Sequence, residues 1–317
     1  MGKLKNIIKR IRSGIADMHA FGVYVGLTNM LWLIIAYSPQ ALKNAVMTRK
    51  KQIIDLLLLK TCADTIQRYS SACPVSADTC KPAEAPIFVC WLQGVENAPD
   101  LVKACIRSVE RHSSGHPVHI VTEDNYTQWI DLPVRVLQAW KKHDISNANF
   151  ADILRVALLA KYGGCWIDAT IWLSGDLQQE VFNQMFYSCR YEPDGIYITD
   201  NKWSNFFLAV HPESVTIRFV RDMLFEYMEH ESRFVDYFLM DYIIRWGYDH
   251  IDVVHSEIDT IPYNNRRVHD LIRMLDQADA SDMVRCLLAD TYIHKLSWRI
   301  HADEFPEGSI GRTIVLQ

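Results

Sequence analysis

Three charged residues sit where the sequence leaves little room for charge. Asp152 and Arg155 lie in the run from Phe150 to Tyr162, whose apolar residues Ile153, Leu154, Val156, Ala157, Leu158, Leu159 and Ala160 cover the whole circumference of a helix. A helix of that kind is buried on every side. Asp168 follows at the end of the short apolar segment Cys165 to Ile167. An unpartnered charge in such surroundings is costly, so each of the three needs a reason. Asp152 and Arg155 are three residues apart and share a helix face, and one account is a plain ion pair with Asp168 capping a turn. The other is that all three face a polar ligand. A carboxylate accepts hydrogen bonds from ribose or sugar hydroxyls, and a guanidinium holds oxyanions such as phosphate with directed bonds.

The elements that must position these groups follow from the local pattern. Gly163 and Gly164 end the helix, since glycine takes positive φ without penalty. The segment that follows reads as a strand ending on Asp168, and open α/β sheets bind ligands at the carboxyl ends of their strands. Pro86-Ile-Phe-Val-Cys-Trp-Leu-Gln-Gly94 reads as a first buried strand closed by glycine. Pro99 to His112 predicts a helix, with Pro99 and Asp100 suited to its start. Val118-His-Ile-Val-Thr122 predicts the second strand, and strand, helix and strand at this spacing make a right-handed crossover. Residues 264–287, alternately charged and apolar, read as an outer pair of helices. The fold class is therefore α/β with a mostly parallel sheet. No Gly-x-Ser-x-Gly, P-loop or Gly-x-Gly-x-x-Gly is present, which leaves acyl hydrolases, P-loop triphosphatases and dinucleotide oxidoreductases without support.

Ala151-Asp-Ile-Leu-Arg155, together with Lys161-Tyr-Gly-Gly-Cys-Trp-Ile-Asp-Ala-Thr170, resembles the capsular polysaccharide synthesis proteins. These belong to a broader glycosyltransferase family 32 group with the type A glycosyltransferase fold, and the resemblance runs from about Ile87 to Arg299. It implies transfer of a sugar, with retention of anomeric configuration, from a nucleotide donor to a glycan or lipid-linked glycan acceptor in surface polysaccharide synthesis. The donor implied is a uridine diphosphate sugar. Trp91, in Trp91-Leu-Gln-Gly94, matches a tryptophan that stacks on the donor base, and such stacking contributes about 1–3 kcal/mol. Asp152 and Arg155 match positions that bind the nucleoside and the diphosphate–sugar portion, although Ala151 stands where the family usually has serine.

Asp168 matches the first acidic position of an Asp-x-Asp motif that holds Mn²⁺ or Mg²⁺ against the diphosphate. Thr170 replaces the second aspartate, as is common within the capsule group, and is a poorer ligand for a hard cation. His294 and Lys295, in Tyr292-Ile-His-Lys-Leu-Ser-Trp-Arg299, belong to a closing segment the family shares. The resemblance assigns His294 to metal or β-phosphate and Lys295 to phosphate. The acceptor side is expected over residues 190–250, with Asp241 as a second catalytic carboxylate near the end of a helix and the aromatic residues around it taken as core. Two other classes fit the departures at 151 and 170: a sugar-nucleotide-binding protein without catalysis, and a membrane-bound scaffold of a polysaccharide assembly complex.

The chain of 317 residues holds one substantial domain plus an accessory segment. Its charge of −5 is unevenly spread, +8 over residues 1–60 and −13 over the rest. An acidic body argues against nucleic acid, and a basic arm argues for an anionic membrane surface. Leu4, Ile7, Ile8, Ile11, Ile15 and Met18 recur at helical spacing among Lys3, Lys5, Lys9, Arg10 and Arg12, the pattern of an interfacial helix. Residues 20–42 carry no charge, yet Gly22, Gly26, Asn29 and Pro39 interrupt them, so the stretch reads either as a monotopic attachment to the membrane or as a helical subdomain packed on the body. The organisation expected is a helical arm over 1–69, a Ser/Ala/Pro/Cys-rich linker over 70–85 and a catalytic domain over 86–317. The eight cysteines show no paired or finger spacing and read as reduced thiols. A cytoplasmic protein, peripheral on the inner face of the cell membrane, is the expected location.

Overall fold

A computed structural model of the chain describes residues 14–34, 40–74, 85–193, 195, 198–301 and 305–317. The basic residues 3–12 and most of the linker expected over 70–85 lie outside the described residues. A five-stranded sheet is built from β1 (Ile87–Cys90), β2 (Val118–Val121), β3 (Gly164–Ile167), β5 (Phe186–Ser188) and β6 (Phe207–Val210), in the order β2-β1-β3-β6-β5. β1 pairs in parallel with β2 and β3, and only β6 runs against the others. A separate antiparallel ribbon joins β4 (Ile171–Leu173) to β7 (Ile293–Lys295).

Strand side chains alternate between faces, and here the alternation feeds two cores. Phe88, Trp166, Leu208 and Val210 join the cluster formed with α6 (Asn147–Tyr162), α7 (Val215–His230) and α8 (Leu239–His250). Ile87, Val89, Cys165, Ile167 and Phe207 face the other way, onto Val102, Ile106 and Val109 of α4 (Asp100–Arg111). The result is a mixed α/β, Rossmann-like sandwich with helices on both faces of a mostly parallel sheet. Between α4 and α6 lies α5 (Val134–Lys141).

α6 is the element predicted from its unbroken apolar girth, and ten of its sixteen residues are buried. Ser146 caps it and exchanges hydrogen bonds with Asn149, satisfying amide groups that a helix start leaves unpaired. Gly163 (φ 66°) and Gly164 (φ 85°) then turn the chain sharply into β3. At Gly164 a Cβ would lie 2.1 Å from the Pro86 carbonyl oxygen, so the strand can start there only with glycine.

The amino-terminal helices α1 (Val23–Ile34), α2 (Gln40–Thr61) and α3 (Ala63–Tyr69) pack on the α7–α8 side of the body. Ile54, Leu58 and Cys62 belong to the same core cluster as Phe150 and Trp166. Buried Lys50 pairs with Asp236, Arg245 with Asp55, and the Glu226 carboxylate accepts from the Asp64 and Thr65 amides at the start of α3. No helix among the described residues is long and apolar enough to cross a membrane. The outer helical pair expected over 264–287 is replaced by turns, one 3₁₀ turn at Leu271–Arg273 and a single helix, α10 (Asp282–Asp290). Val268 goes to the cluster under α4, whereas Leu271 and Leu275 go to a third one. Those apolar residues serve two directions, which one helix face could not. Residues 14–21 are helical as well, and α9 (Asp252–Asp259) and α11 (Ile310–Leu316) follow α8 and α10 in the chain.

Candidate active site

The site is assembled at the carboxyl end of β3. Asp168 leaves the strand and opens a tight turn, closed by the Ile171 amide donating to the Asp168 carbonyl at 2.8 Å. That turn, Asp168-Ala-Thr-Ile171, brings the first and third side chains towards one partner. Lys295 Nζ donates to Asp168 Oδ2 at 2.7 Å and to Thr170 Oγ1 at 2.8 Å. Lys295 reaches them because β7 pairs with β4 in a register that sets Lys295 opposite Ile171. Its ammonium also lies 5.1 Å from the Phe206 ring centre.

Arg155 approaches the other carboxylate oxygen from α6. Its Nη2 donates to Asp168 Oδ1 at 3.1 Å, its Nη1 to Asp152 Oδ1 at 2.7 Å, and its guanidinium stacks 4.9 Å from the Trp166 ring centre. The Trp166 indole N–H donates to Asp168 Oδ1 at 2.9 Å. Asp152 and Arg155 do form the plain pair, yet the same guanidinium also joins them to Asp168, so two carboxylates and two cations make one network. Arg155 is buried, whereas the side chains of Asp168 and Lys295 keep 26% and 21% exposure. The network therefore opens to solvent at its Asp168–Lys295 end.

The three nearby carboxylates are held in different states. Burial pushes the Asp168 carboxyl up, but Lys295 and Arg155 more than offset it and hold it at about 2. Asp152, where burial outweighs Arg155 and Asp168 adds repulsion, is raised to about 6. Asp241, in the first turn of α8, is raised to about 7, chiefly by burial. Its Oδ1 accepts from Trp203 Nε1 at 2.9 Å and from Asn205 Nδ2 at 2.7 Å. Asp152 and Arg155 both act on it electrostatically, and Arg155 Nη1 lies 3.6 Å from Sδ of the preceding Met240. At neutral pH one carboxylate is fully charged and another is poised to hold a proton.

Not every expected residue joins the network. Trp91 lies at the same sheet edge, one residue beyond β1, packed on the α4-side cluster with its indole N–H buried and unpartnered. Its neighbour Cys90 is within electrostatic reach of Arg155 and Asp168, but no hydrogen bond ties Trp91 to the network among the described residues. His294 is a correction. Successive side chains of a strand point to opposite faces, so while Lys295 reaches Asp168, His294 is fully buried beside Trp172. Its Nε2 lies 3.1 Å from Ser174 Oγ, and burial lowers its pKa to about 4. It is not placed to share an ion with Asp168.

Trp203 and Asn205 are residues the sequence reading assigned to no chemistry, and they hold Asp241 in place. Tyr237 is another: its side chain is largely exposed, yet partial burial, with the charges of Asp152 and Asp168 added, raises its hydroxyl pKa.

The donor set does not fit a resident divalent cation. It offers one carboxylate, whose oxygens already accept three hydrogen bonds, and one hydroxyl bonded to an ammonium. No three His, Cys, Asp or Glu side chains converge on a point among the described residues. A hard cation wants several oxygen ligands, most of them charged or water, and here it would meet Lys295 and Arg155 instead.

A family model for capsular polysaccharide synthesis proteins matches residues 35–313. The chain belongs to that family. The match begins well before Ile87, so the helices packed on the body from residue 40 onward are part of what the family shares. Membership carries a role in capsular polysaccharide synthesis. No curated protein sequence matches the chain.

Proposed function

We propose that the chain is a glycosyltransferase of type A architecture that moves a sugar from a uridine diphosphate donor to a glycan or lipid-linked glycan hydroxyl. The observation that carries the reading is Asp168. It is a carboxylate held ionised at the open carboxyl end of a central strand, with two cations fixed on it and solvent access beside them.

In this reading the diphosphate lies against the exposed side of Lys295 and the edge of Arg155. The acceptor oxygen bonds to the anomeric carbon as the bond from that carbon to the diphosphate oxygen breaks. The electron pair stays on the leaving diphosphate, which takes the acceptor's proton, and the new bond forms on the face the old one left. Fixed positive groups aimed at the developing charge favour that step more than they favour the ground state. Asp168 acts by holding both cations. Asp152 and Asp241 face hydroxyls, Asp241 able to donate as well as accept because it keeps a proton near neutral pH. Trp91 offers its ring to the uracil. Tyr237 and Phe238, both exposed and set edge to face, give an acceptor sugar an aromatic surface at the rim.

We assign the chain to the inner face of the cell membrane, where it would have access to cytoplasmic nucleotide sugars. Ile15, Val23, Tyr24 and Leu27 are exposed apolar residues close in sequence to the basic residues 3–12, a composition suited to an anionic lipid surface.

Turnover of a nucleotide-sugar panel by the purified chain tests the reading. The expected result is transfer or slow hydrolysis of a UDP-sugar by wild type, reduced at least ~100-fold in Asp168→Asn. Saturable donor binding with no turnover under any condition would instead make the chain a binding protein.

A further inference from the structure

We propose that Lys295 stands in for a divalent cation, so that this chain binds its donor's diphosphate without metal. The proposal rests on the donor reading above and goes beyond it. The Lys295 ammonium lies between Asp168 Oδ2 and Thr170 Oγ1, at 2.7 and 2.8 Å, which is the position a cation shared by the two side chains would take. Replacing an aspartate by Thr170 removes one negative charge from that turn, and an ammonium supplies one positive charge where a divalent ion supplies two. The exchange leaves the network of Asp152, Asp168, Arg155 and Lys295 electrically balanced when both carboxylates are ionised. A divalent ion added to it would leave an excess of positive charge in a half-buried site.

Several features hold Lys295 in that place. β7 is registered against β4, with Lys295 opposite Ile171. The Lys295 amide donates to the Val268 carbonyl at 2.8 Å, and the Leu296 amide to the Thr170 carbonyl at 2.8 Å. The backbone is thus held on both sides of the side chain, before it by the segment at Val268 and after it by the turn that carries Asp168 and Thr170. An ammonium has three hydrogens. Two are used on Asp168 and Thr170, and the side chain's 21% exposure leaves the third able to meet an oxyanion. Arg155 Nη2, bound to the other oxygen of Asp168, provides the second cation next to it. A diphosphate bridging the two would have a positive group for each phosphate.

Calorimetric titration of the full chain with UDP decides the matter, done in EDTA and again in a few millimolar Mn²⁺, on wild type and on Lys295→Met. The expected result is wild-type affinity that agrees within about threefold between the two buffers, and a loss of about 30-fold in Lys295→Met that Mn²⁺ does not restore. Binding by wild type only in Mn²⁺, or undiminished binding by Lys295→Met, would overturn the role of Lys295 and leave the donor reading standing. Absence of UDP binding in both buffers would remove the donor reading itself, and this proposal with it. The wild-type comparison stands even if the variant does not fold.

Discussion

The protonation of Asp241 can be measured without knowing the substrate. Burial holds its carboxyl at about 7, against an ordinary 3.8. A group whose folded pKa is raised stabilises the fold relative to its ionised state at low pH, and that contribution is lost as pH climbs. The unfolded chain ionises Asp241 from about pH 4 upward while the folded chain resists until about 7. A gap of about three pH units at 1.36 kcal/mol per unit corresponds to a loss of about 4 kcal/mol between pH 4 and pH 8. Asp241→Asn removes the titration and keeps the geometry. Both donors, Trp203 Nε1 and Asn205 Nδ2, bond the same oxygen, so an asparagine can accept both on its carbonyl and place its NH₂ where the protonated oxygen was. For a chain of this length 4 kcal/mol is roughly 6 °C in Tm. Thermal melts of both proteins from pH 4.5 to 8 should therefore diverge, with the variant gaining on wild type as pH rises and the two close to equal at the acid end. Asp152, raised to about 6, adds a slope in the same direction to both proteins. Parallel curves would refute the claim that Asp241 is a buried, protonated acid.

Two further outcomes follow from the same structure. Arg155→Met leaves Asp152 and Asp168 without the cation they share, and loss of one partner from a buried network costs about 3–5 kcal/mol; in urea unfolding the cost should be smaller at pH 5, where Asp152 takes a proton, than at pH 8, and an equal cost at both would contradict the assigned state of Asp152. Vesicles containing phosphatidylserine should co-sediment with wild type at low salt and release it at high salt, and Tyr24→Glu with Leu27→Glu should weaken that binding. Indifference to both changes would count against an anionic lipid surface as the partner of the amino-terminal helices.

Much of the site was legible in the sequence because charge in apolar surroundings is conspicuous. Asp152, Arg155 and Asp168 stood out for that reason, and in the fold the Arg155 guanidinium joins the two carboxylates. Gly163 and Gly164 marked the helix end, and the first three strands lie where the apolar runs put them. The rest depended on contacts between segments far apart in the chain. Lys295 and His294 are adjacent, and only the register of β7 against β4, across 120 residues and more, decides which of them faces Asp168. Trp203 and Asn205 look like ordinary loop residues until Asp241 is seen to accept from both. Charge and composition leave the amino-terminal helices open between a membrane-lying arm and a subdomain packed on the body; in the fold Ile54, Leu58 and Cys62 reach the main core and Lys50 finds its partner at Asp236. Composition reports the surface of such a helix and says nothing about which face finds a neighbour.

The most direct measurement is the structure of the chain crystallised with UDP. The two phosphates are expected at the carboxyl end of β3, with oxygens at ~3 Å from Lys295 Nζ and the Arg155 guanidinium and the uracil on the Trp91 ring. A nucleotide bound elsewhere, with Lys295 and Arg155 still turned wholly to Asp168 and Asp152, would contradict it.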